Sequence, residues 1–170
     1  MKGRNIMTIF LCGFMGCGKS TIGKRLAVLS GRGFVDMDSY IEDKAGMTIP
    51  EIFEKLGEPA FREMETEAVR ALSGAGKVVA CGGGAMLKSI NAEIAAEKGR
   101  IIYIEVDFET CYSRIEGDKN RPLVMKNTKE QLKAIYEERA PIYAAHATDK
   151  ADGNESPETV ARQIKELCSL

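Results

Sequence analysis

Short apolar runs alternate with amphipathic stretches along the 170 residues of the chain. Apolar runs with the length of buried strands cover residues 7–12, 33–35, 78–81 and 101–106, with a weaker one at 147–151. Helical spacing fills the intervals, at 19–29, 49–56, 60–72, 92–98, 108–115, 129–143 and 158–167. Strands separated by helices predict right-handed crossovers and a parallel sheet covered on both faces. We therefore expect an α/β fold in three layers, with five parallel strands between flanking helices.

Local start signals support several of these helices. The stretch from Thr48 to Glu51 has the pattern of a capping box. Asp107 directly precedes the fifth helical stretch, at 108–115, and can cap it, and Ser156 precedes a proline suited to a first helical position. Each signal predicts where a helix begins.

The composition narrows the classes of protein. With 44% hydrophobic residues, the chain fits one compact domain over residues 1–170. The balance of 24 Lys+Arg against 25 Asp+Glu argues against a broad surface for binding nucleic acid. Five cysteines without C-x-x-C spacing predict reduced, mostly buried thiols in a cytoplasmic protein. His146 is the single histidine, which nearly excludes zinc sites and histidine triads. The apolar run at 7–12 is far shorter than the roughly 20 residues of a membrane span. We therefore expect a soluble protein with no membrane partner. We also expect a monomer, although no feature of the composition indicates an oligomeric state.

The first apolar run leads directly into a phosphate-binding sequence. Residues 13–20 read GFMGCGKS and fit G-x-x-x-x-G-K-[ST] between a strand and a helix. The glycines allow backbone N–H groups to curl around phosphate oxygens, and the helix N-terminus adds partial positive charge. Lys19 has the reach for the β- and γ-phosphates, and the Ser20 hydroxyl is a candidate Mg²⁺ ligand. These features predict binding of a nucleoside triphosphate.

Two acidic residues lie at the end of the second strand. Asp36 and Asp38 are two apart, so on an extended segment both carboxylates point to one side. One is then suited to hold Mg²⁺ through water, and the other to accept a hydroxyl proton. The alternative is that Asp38 or Ser39 caps the following helix. ATPases that activate water usually have an acidic residue at the end of a neighbouring strand. Here the third strand ends in glycines, which disfavours that class of enzyme.

Two further segments have both a simple and a functional interpretation. Gly82, Gly83 and Gly84 follow the third strand, either as a tight turn or as backbone that a ligand approaches closely. Residues 117–128, GDKNRPLVMKNT, are polar and basic with breaker residues. This second segment is either a surface loop or a mobile lid.

Taken together, these residues resemble the shikimate kinases, which are small P-loop kinases similar in fold to nucleoside monophosphate kinases. The resemblance covers nearly the whole chain and rests on motifs in the family order: GFMGCGKST, DMD, FREMETEAV, GGGA, RPL and ERAPIYAAHAT. It implies a five-stranded parallel sheet with a lid at about 117–128. It also implies transfer of the ATP γ-phosphate to the 3-hydroxyl of shikimate, with Mg²⁺ as cofactor.

The resemblance assigns roles to individual residues. It implies that Lys19, Asp38 and Arg121 are catalytic, with Asp38 as the base and Arg121 reaching the phosphates from the lid. It places Asp36 near the metal through water, beside Ser20. ATP binding is implied for Gly13, Gly16, Cys17, Gly18, Lys19, Ser20, Thr21, Arg114 and Arg121, with Arg114 stacked on adenine. Shikimate binding is implied for Asp38, Arg62, Gly82, Gly83, Gly84 and Arg139, with the two arginines on the substrate carboxylate.

Other interpretations remain open at the level of sequence. Arg62 lies among Glu58, Glu65 and Glu67, and such spacing is typical of ion pairs on a helix surface. Arg139 has similar acidic neighbours. The chain departs from the family at 154–156, where Asn, Glu and Ser replace a basic residue near the adenine, so no side-chain contact to adenine is assigned there. A kinase for another small acceptor such as gluconate, or a non-catalytic ATP-binding paralogue, are the competing functions.

Overall fold

The computed structural model describes residues 7–170 and confirms the predicted three-layer α/β fold. The first six residues of the expected domain lie outside the described residues. Five strands form one sheet in the order β2-β3-β1-β4-β5, and all four neighbouring pairs are parallel. The strands are β1 (Thr8–Cys12), β2 (Phe34–Asp36), β3 (Val78–Ala80), β4 (Gly99–Glu105) and β5 (Asp149–Asp152).

Nine α-helices connect and flank the strands within residues 7–170. They are α1 (Lys19–Ser30), α2 (Met37–Ala45), α3 (Ile49–Leu56), α4 (Glu58–Leu72), α5 (Ser89–Glu97), α6 (Phe108–Ile115), α7 (Pro122–Lys126), α8 (Lys129–His146) and α9 (Pro157–Leu167). A short 3₁₀ helix spans Ala85–Leu87. Across the described part of the chain, none of the helices has the length and apolar character needed to span a membrane.

The central strand shows why the sheet is apolar on both sides. All five residues of β1 are buried, because Ile9 and Leu11 face one helical layer while Phe10 and Cys12 face the other. Leu26 of α1 belongs to the first core cluster, and Val69 of α4 belongs to the second. A strand buried on both faces reads as a continuous apolar run, which is the pattern seen in the sequence.

The predicted helix starts are confirmed. Thr48 accepts a hydrogen bond from the Glu51 N–H, Asp107 from Thr110, and Ser156 from Thr159. All five cysteines are buried with free thiols, as expected. The weakest predicted strand is displaced, since β5 begins two residues later than its apolar signal at 147.

The prediction of an extended segment from Asp36 to Asp38 is wrong. β2 ends at Asp36, and α2 begins at Met37. Asp36 is the N-cap, and its side chain accepts a hydrogen bond of 3.1 Å from the Ser39 N–H. The capping residue is therefore neither Asp38 nor Ser39, and Asp38 lies in the first helical turn. An acidic residue there is favoured by the helix dipole.

Residues 117–128 contain more regular secondary structure than the sequence predicts. They contain the short helix α7, whose N-cap residue is Arg121. At the end of the segment, the Thr128 side chain accepts from the Gln131 N–H while Gln131 accepts from the Thr128 N–H. This reciprocal capping box fixes where α8 begins.

Parallel strands bring their carboxyl ends to one edge of the sheet. β1 leads into the phosphate-binding loop, and β2 ends at Asp36 and leads into α2. β3 is followed by the glycines at 82–84. Ligands bind at this edge in open α/β sheets. The topology therefore gathers the predicted site residues in one region.

Candidate active site

The loop at residues 13–20 requires glycine at defined positions. Gly16 and Gly18 have φ angles of 80° and 94°, in the left-handed region that other residues avoid. A Cβ on Gly16 would lie 2.7 Å from the Cys111 carbonyl oxygen, and one on Gly13 would lie 2.8 Å from that of Ile104. The loop is therefore packed tightly against β4 and α6 on its outer side.

Lys19 and the N-terminus of α1 bring positive charge to this loop. The Lys19 ammonium donates hydrogen bonds to the carbonyl oxygens of Gly13 at 2.7 Å and Phe14 at 3.3 Å. α1 begins at Lys19 with no acidic residue in its first turn and no side-chain cap at Gly18. Its first N–H groups therefore remain available to an anion. This arrangement fits a phosphate group.

Ser20 and Asp36 meet at the start of two different helices. The Ser20 hydroxyl lies 3.3 Å from Asp36 Oδ2. Oxygen donors from a hydroxyl and a carboxylate are the type that Mg²⁺ prefers, and they lie beside the phosphate-binding loop. The donor set thus fits a magnesium ion held together with a nucleotide.

Asp38 lies against the glycine segment. Its Oδ1 atom is 2.6 Å from the position that a Cβ on Gly82 would occupy, so a side chain at 82 would overlap the carboxylate. Burial raises the pKa of Asp38, and the negative charge of Asp36 raises it further, while Lys19 opposes both effects. A carboxylate with a raised pKa in this setting is a better proton acceptor.

Two arginines also lie against these glycines. A side chain on Gly84 would overlap the Arg62 guanidinium, and a Cβ on Gly83 would lie 3.6 Å from Arg139 Nη1. The segment from Gly82 to Gly84 is therefore flanked by Asp38 and by both predicted carboxylate-binding arginines. The structure brings these residues together, although they come from α2, α4 and α8.

Arg62 also forms the ion pairs that its sequence context suggested. Its Nη1 atom lies 2.7 Å from Glu65 Oε1, and its Nη2 atom lies 3.2 Å from Glu58 Oε1. Glu65 is only 2% exposed, and burial raises the pKa of its carboxyl while Arg62 opposes that shift. Sequence reasoning treated Glu65 as a surface neighbour and missed its buried position; the i, i+3 spacing to Arg62 was the signal available.

Arg114 and Arg121 are the other two arginines of the predicted site. Arg114 contacts backbone, and Arg121 contacts a nearby carboxylate. Arg114 Nη1 donates to the Gly16 carbonyl oxygen at 2.8 Å and so lies at the phosphate-binding loop. Arg121 forms an ion pair with Asp118, with 3.0 Å between Nε and Oδ2. Arg121 therefore has a local partner inside the 117–128 segment rather than a contact with residues 13–20.

A phosphate-binding loop on the central strand of a parallel sheet, with a half-buried carboxylate at the same sheet edge, is typical of a P-loop kinase. The shikimate kinase family model matches residues 15–169. A shikimate kinase of Geobacter sulfurreducens is 46% identical over 84% of this chain and 78% of its own length. One of Streptococcus gordonii is 39% identical over 94% of this chain and 99% of its own.

Solved structures agree with this assignment. Shikimate kinase from Acinetobacter baumannii in complex with shikimate has a TM-score of 0.88 and 38% identity, covering 96% of this chain and 93% of that one. Shikimate kinase from Aquifex aeolicus has a TM-score of 0.83 and 35% identity, covering 96% of each chain. The chain belongs to the shikimate kinase family. It is an ATP-dependent kinase, and the resemblance drawn from its motifs is confirmed.

Proposed function

We propose that this enzyme transfers the γ-phosphate of ATP to the 3-hydroxyl of shikimate, giving shikimate 3-phosphate and ADP. The observation that carries the proposal is the arrangement of Asp38, Arg62 and Arg139 around Gly82–Gly84. A ring that bears a carboxylate and several hydroxyls needs an anion grip at one end and a proton acceptor at the other. The relative from Acinetobacter baumannii, described in complex with shikimate, supports this choice of acceptor.

The nucleotide side of the proposed site is the phosphate-binding loop. Backbone N–H groups around Gly13, Gly16, Cys17, Gly18 and Thr21 bind the phosphates, and Lys19 leaves its carbonyl partners to contact them. Ser20 would hold Mg²⁺ directly and Asp36 would hold it through water, and the bound ion would supply charge neutralisation at the phosphates. Arg114 braces the loop through Gly16 and stacks on adenine.

Asp38 acts as the proton acceptor for the substrate hydroxyl. Its carboxylate is held between the phosphate-binding loop and the glycine segment, where Lys19 and Asp36 both influence its charge. A raised pKa makes the Asp38 carboxylate a stronger base towards the substrate hydroxyl. Arg62 and Arg139 fix the ring by its carboxylate, so that the reacting hydroxyl is oriented.

The segment 117–128 closes the site in this proposal. Arg121 leaves Asp118 and reaches the phosphates when both substrates are bound, which excludes water from the phosphoryl group. The half-exposed Arg121–Asp118 pair is weak enough to exchange partners. The proposal further includes a single domain over residues 1–170 that acts as a cytoplasmic monomer on ATP and shikimate.

The test compares shikimate with its methyl ester in the wild type and in Arg62→Ala. If Arg62 binds the carboxylate, losing it leaves a charge poorly paired at about 2–5 kcal/mol, or roughly 30- to 4,000-fold in kcat/KM. The ester has no such charge, so we expect Arg62→Ala to lose much less activity on the ester. Lysine at position 62 recovers only part, since an ammonium cannot match the planar guanidinium.

Arg70→Ala is the matched control, because Arg70 lies exposed on the same helix two turns further along. It should leave kcat/KM for acid and ester unchanged. Equal losses for acid and ester in Arg62→Ala would make Arg62 a structural ion-pair residue and would contradict the proposed substrate.

A further inference from the structure

The glycine segment has an unusual distribution of hydrogen bonds. Every carbonyl from Gly82 to Met86 accepts a bond from within the protein. Two are bonded by the backbone, since the Ala85 N–H donates to Gly82 at 3.3 Å and the Leu87 N–H donates to Gly84 at 3.2 Å. The carbonyls of Gly83, Ala85 and Met86 instead face the side chains Tyr143, Asn91 and His146.

These three side chains, which we call the carbonyl clamp, come from two helices. The Tyr143 hydroxyl of α8 donates to the Gly83 oxygen, and Asn91 Nδ2 of α5 donates to the Ala85 oxygen at 2.8 Å. His146 Nδ1 lies 2.8 Å from the Met86 oxygen, and facing a carbonyl it is the donor. Tyr143 and Asn91 are each 1% exposed, so solvent does not replace either bond.

The clamp is tied to the helices that carry the arginines. Tyr143 follows Arg139 by one turn of α8. The Thr66 hydroxyl of α4 donates to Asn91 Oδ1 at 2.7 Å, which leaves the Asn91 amide nitrogen facing the Ala85 carbonyl. The glycine segment is thereby fixed relative to both Arg139 and Arg62.

Fixing the carbonyls also fixes the amides. In a trans peptide the C=O of one residue and the N–H of the next point in opposite directions. Tyr143 on the Gly83 oxygen therefore turns the Gly84 N–H away from the core. Within residues 7–170, the amides of Gly82, Gly83 and Gly84 donate to no protein acceptor. They lie where Asp38, Arg62 and Arg139 converge.

We propose that Tyr143, supported by Asn91 and His146, is a positioning residue for the acceptor substrate. By holding the Gly83 carbonyl inward, it keeps the Gly84 N–H, and through Gly84 the glycine segment, oriented towards the oxygen atoms of the bound acid. Glycine is costly to order, so a segment of three glycines does not keep this orientation by itself. The identity of the bound acid rests on the proposed function. The carbonyl clamp itself rests only on the hydrogen bonds described above.

Tyr143→Phe is the direct test, since it retains the ring that packs 5.6 Å from Tyr103 and removes only the hydroxyl. Leaving the Gly83 carbonyl unpartnered should raise KM for shikimate by about 5- to 150-fold. KM for ATP should stay within about twofold of the wild-type value, and kcat should fall less than KM rises. In the ligand-free enzyme, the amides of Ala85 and Leu87 should exchange faster, because their acceptors belong to the freed segment.

Tyr136→Phe is the matched control. Tyr136 also lies on α8, and its hydroxyl donates to a backbone carbonyl, that of Val106, at 2.6 Å. It should leave KM for shikimate and the exchange of Ala85 and Leu87 unchanged. Unchanged exchange in Tyr143→Phe, or equal effects of both variants on KM for shikimate, would overturn the clamp. If the wild-type enzyme does not turn over shikimate, the proposed function is contradicted. The hydrogen-exchange result then decides by itself whether the carbonyl clamp is correct.

Discussion

The guanidinium of Arg62 lies 2.7 Å from the carboxylate of Glu65, a side chain that is only 2% exposed. A buried carboxylate cannot follow a moving partner, so it sets the direction in which Arg62 points. The other partner, Glu58, is 60% exposed at its side chain and restrains Arg62 much less. Glu65 is therefore the anchor that holds Arg62 beside the glycine segment.

Removal of this anchor should weaken acceptor binding. In Glu65→Ala, Arg62 loses a charge-assisted hydrogen bond, and we expect KM for shikimate to rise by about 10-fold or more, with a smaller change in kcat. Glu65→Gln should recover part of the loss, because its amide oxygen still accepts from Arg62. Steady-state kinetics with saturating ATP measures both. Glu67→Gln, an exposed change on the same helix, should have no effect; a similar rise there would contradict the anchoring role.

Asp38 should show opposite effects on activity and on stability. Asp38→Asn removes the proposed proton acceptor, and we expect kcat to fall by about 10²- to 10⁴-fold. Because burial and Asp36 raise the pKa of Asp38, its charge destabilises the fold at pH values above its ordinary pKa. The variant should therefore melt at a higher temperature than the wild type at pH 7.

The gain in melting temperature should disappear at low pH. Below about pH 3, well under the ordinary pKa of an aspartate, the Asp38 carboxyl is protonated in the folded and unfolded chains alike, so the substitution changes little. Thermal melting across the pH range, without ligands, gives this comparison. A stabilisation that persists unchanged to low pH would show that charge on Asp38 is not its source.

The pH profile should also respond to Asp36. Its negative charge raises the pKa of Asp38, so Asp36→Asn should move the acid limb of kcat/KM for shikimate to lower pH. Saturating Mg²⁺ and ATP keep metal binding from limiting the profile. Asp43→Asn, an exposed change on the same helix, should leave the limb in place. A shift to higher pH in Asp36→Asn would contradict the assigned coupling.

The segment 117–128 should become protected when both substrate sites are filled. Hydrogen exchange across these residues should slow on adding ADP with shikimate, because Arg121 then exchanges Asp118 for the nucleotide. Arg121→Ala should lower kcat more than it raises KM for shikimate. A segment whose exchange does not change under these conditions is a surface loop without a role in closure.

The parts of the fold that could be predicted from sequence depend on local pattern. β1, the phosphate-binding loop and α1 follow one another along the chain, so their apolar run and glycine spacing suffice to predict them. Asp38 was placed wrongly, because the choice between an extended residue and a first helical turn rests on the cap at Asp36. That cap is the hydrogen bond from the Ser39 N–H to the Asp36 carboxylate. Its only sequence signal is the acidic residue itself.

Contacts between distant residues could not be predicted in the same way. Tyr143 and Gly83 are separated by 60 positions, and only the folded sheet brings α8 to the glycine segment. Glu65 was visible as a neighbour of Arg62, yet its burial depends on how α4 packs on the sheet. The motifs therefore predicted that Asp38, Arg62 and Arg139 lie near the glycine segment, while packing determines which side chains hold them in place.

The central claim is that this kinase acts on shikimate, and ADP release in the presence of different acceptors tests it most directly. A coupled assay measures ADP formed from ATP and Mg²⁺ with shikimate, quinate, gluconate or CMP, each against a blank without acceptor. We expect kcat/KM for shikimate to exceed every other value by at least about 100-fold, since each missing polar or ionic contact removes a few kcal/mol of transition-state binding. A higher kcat/KM for gluconate or CMP, or ADP release that does not depend on the acceptor, would contradict the account.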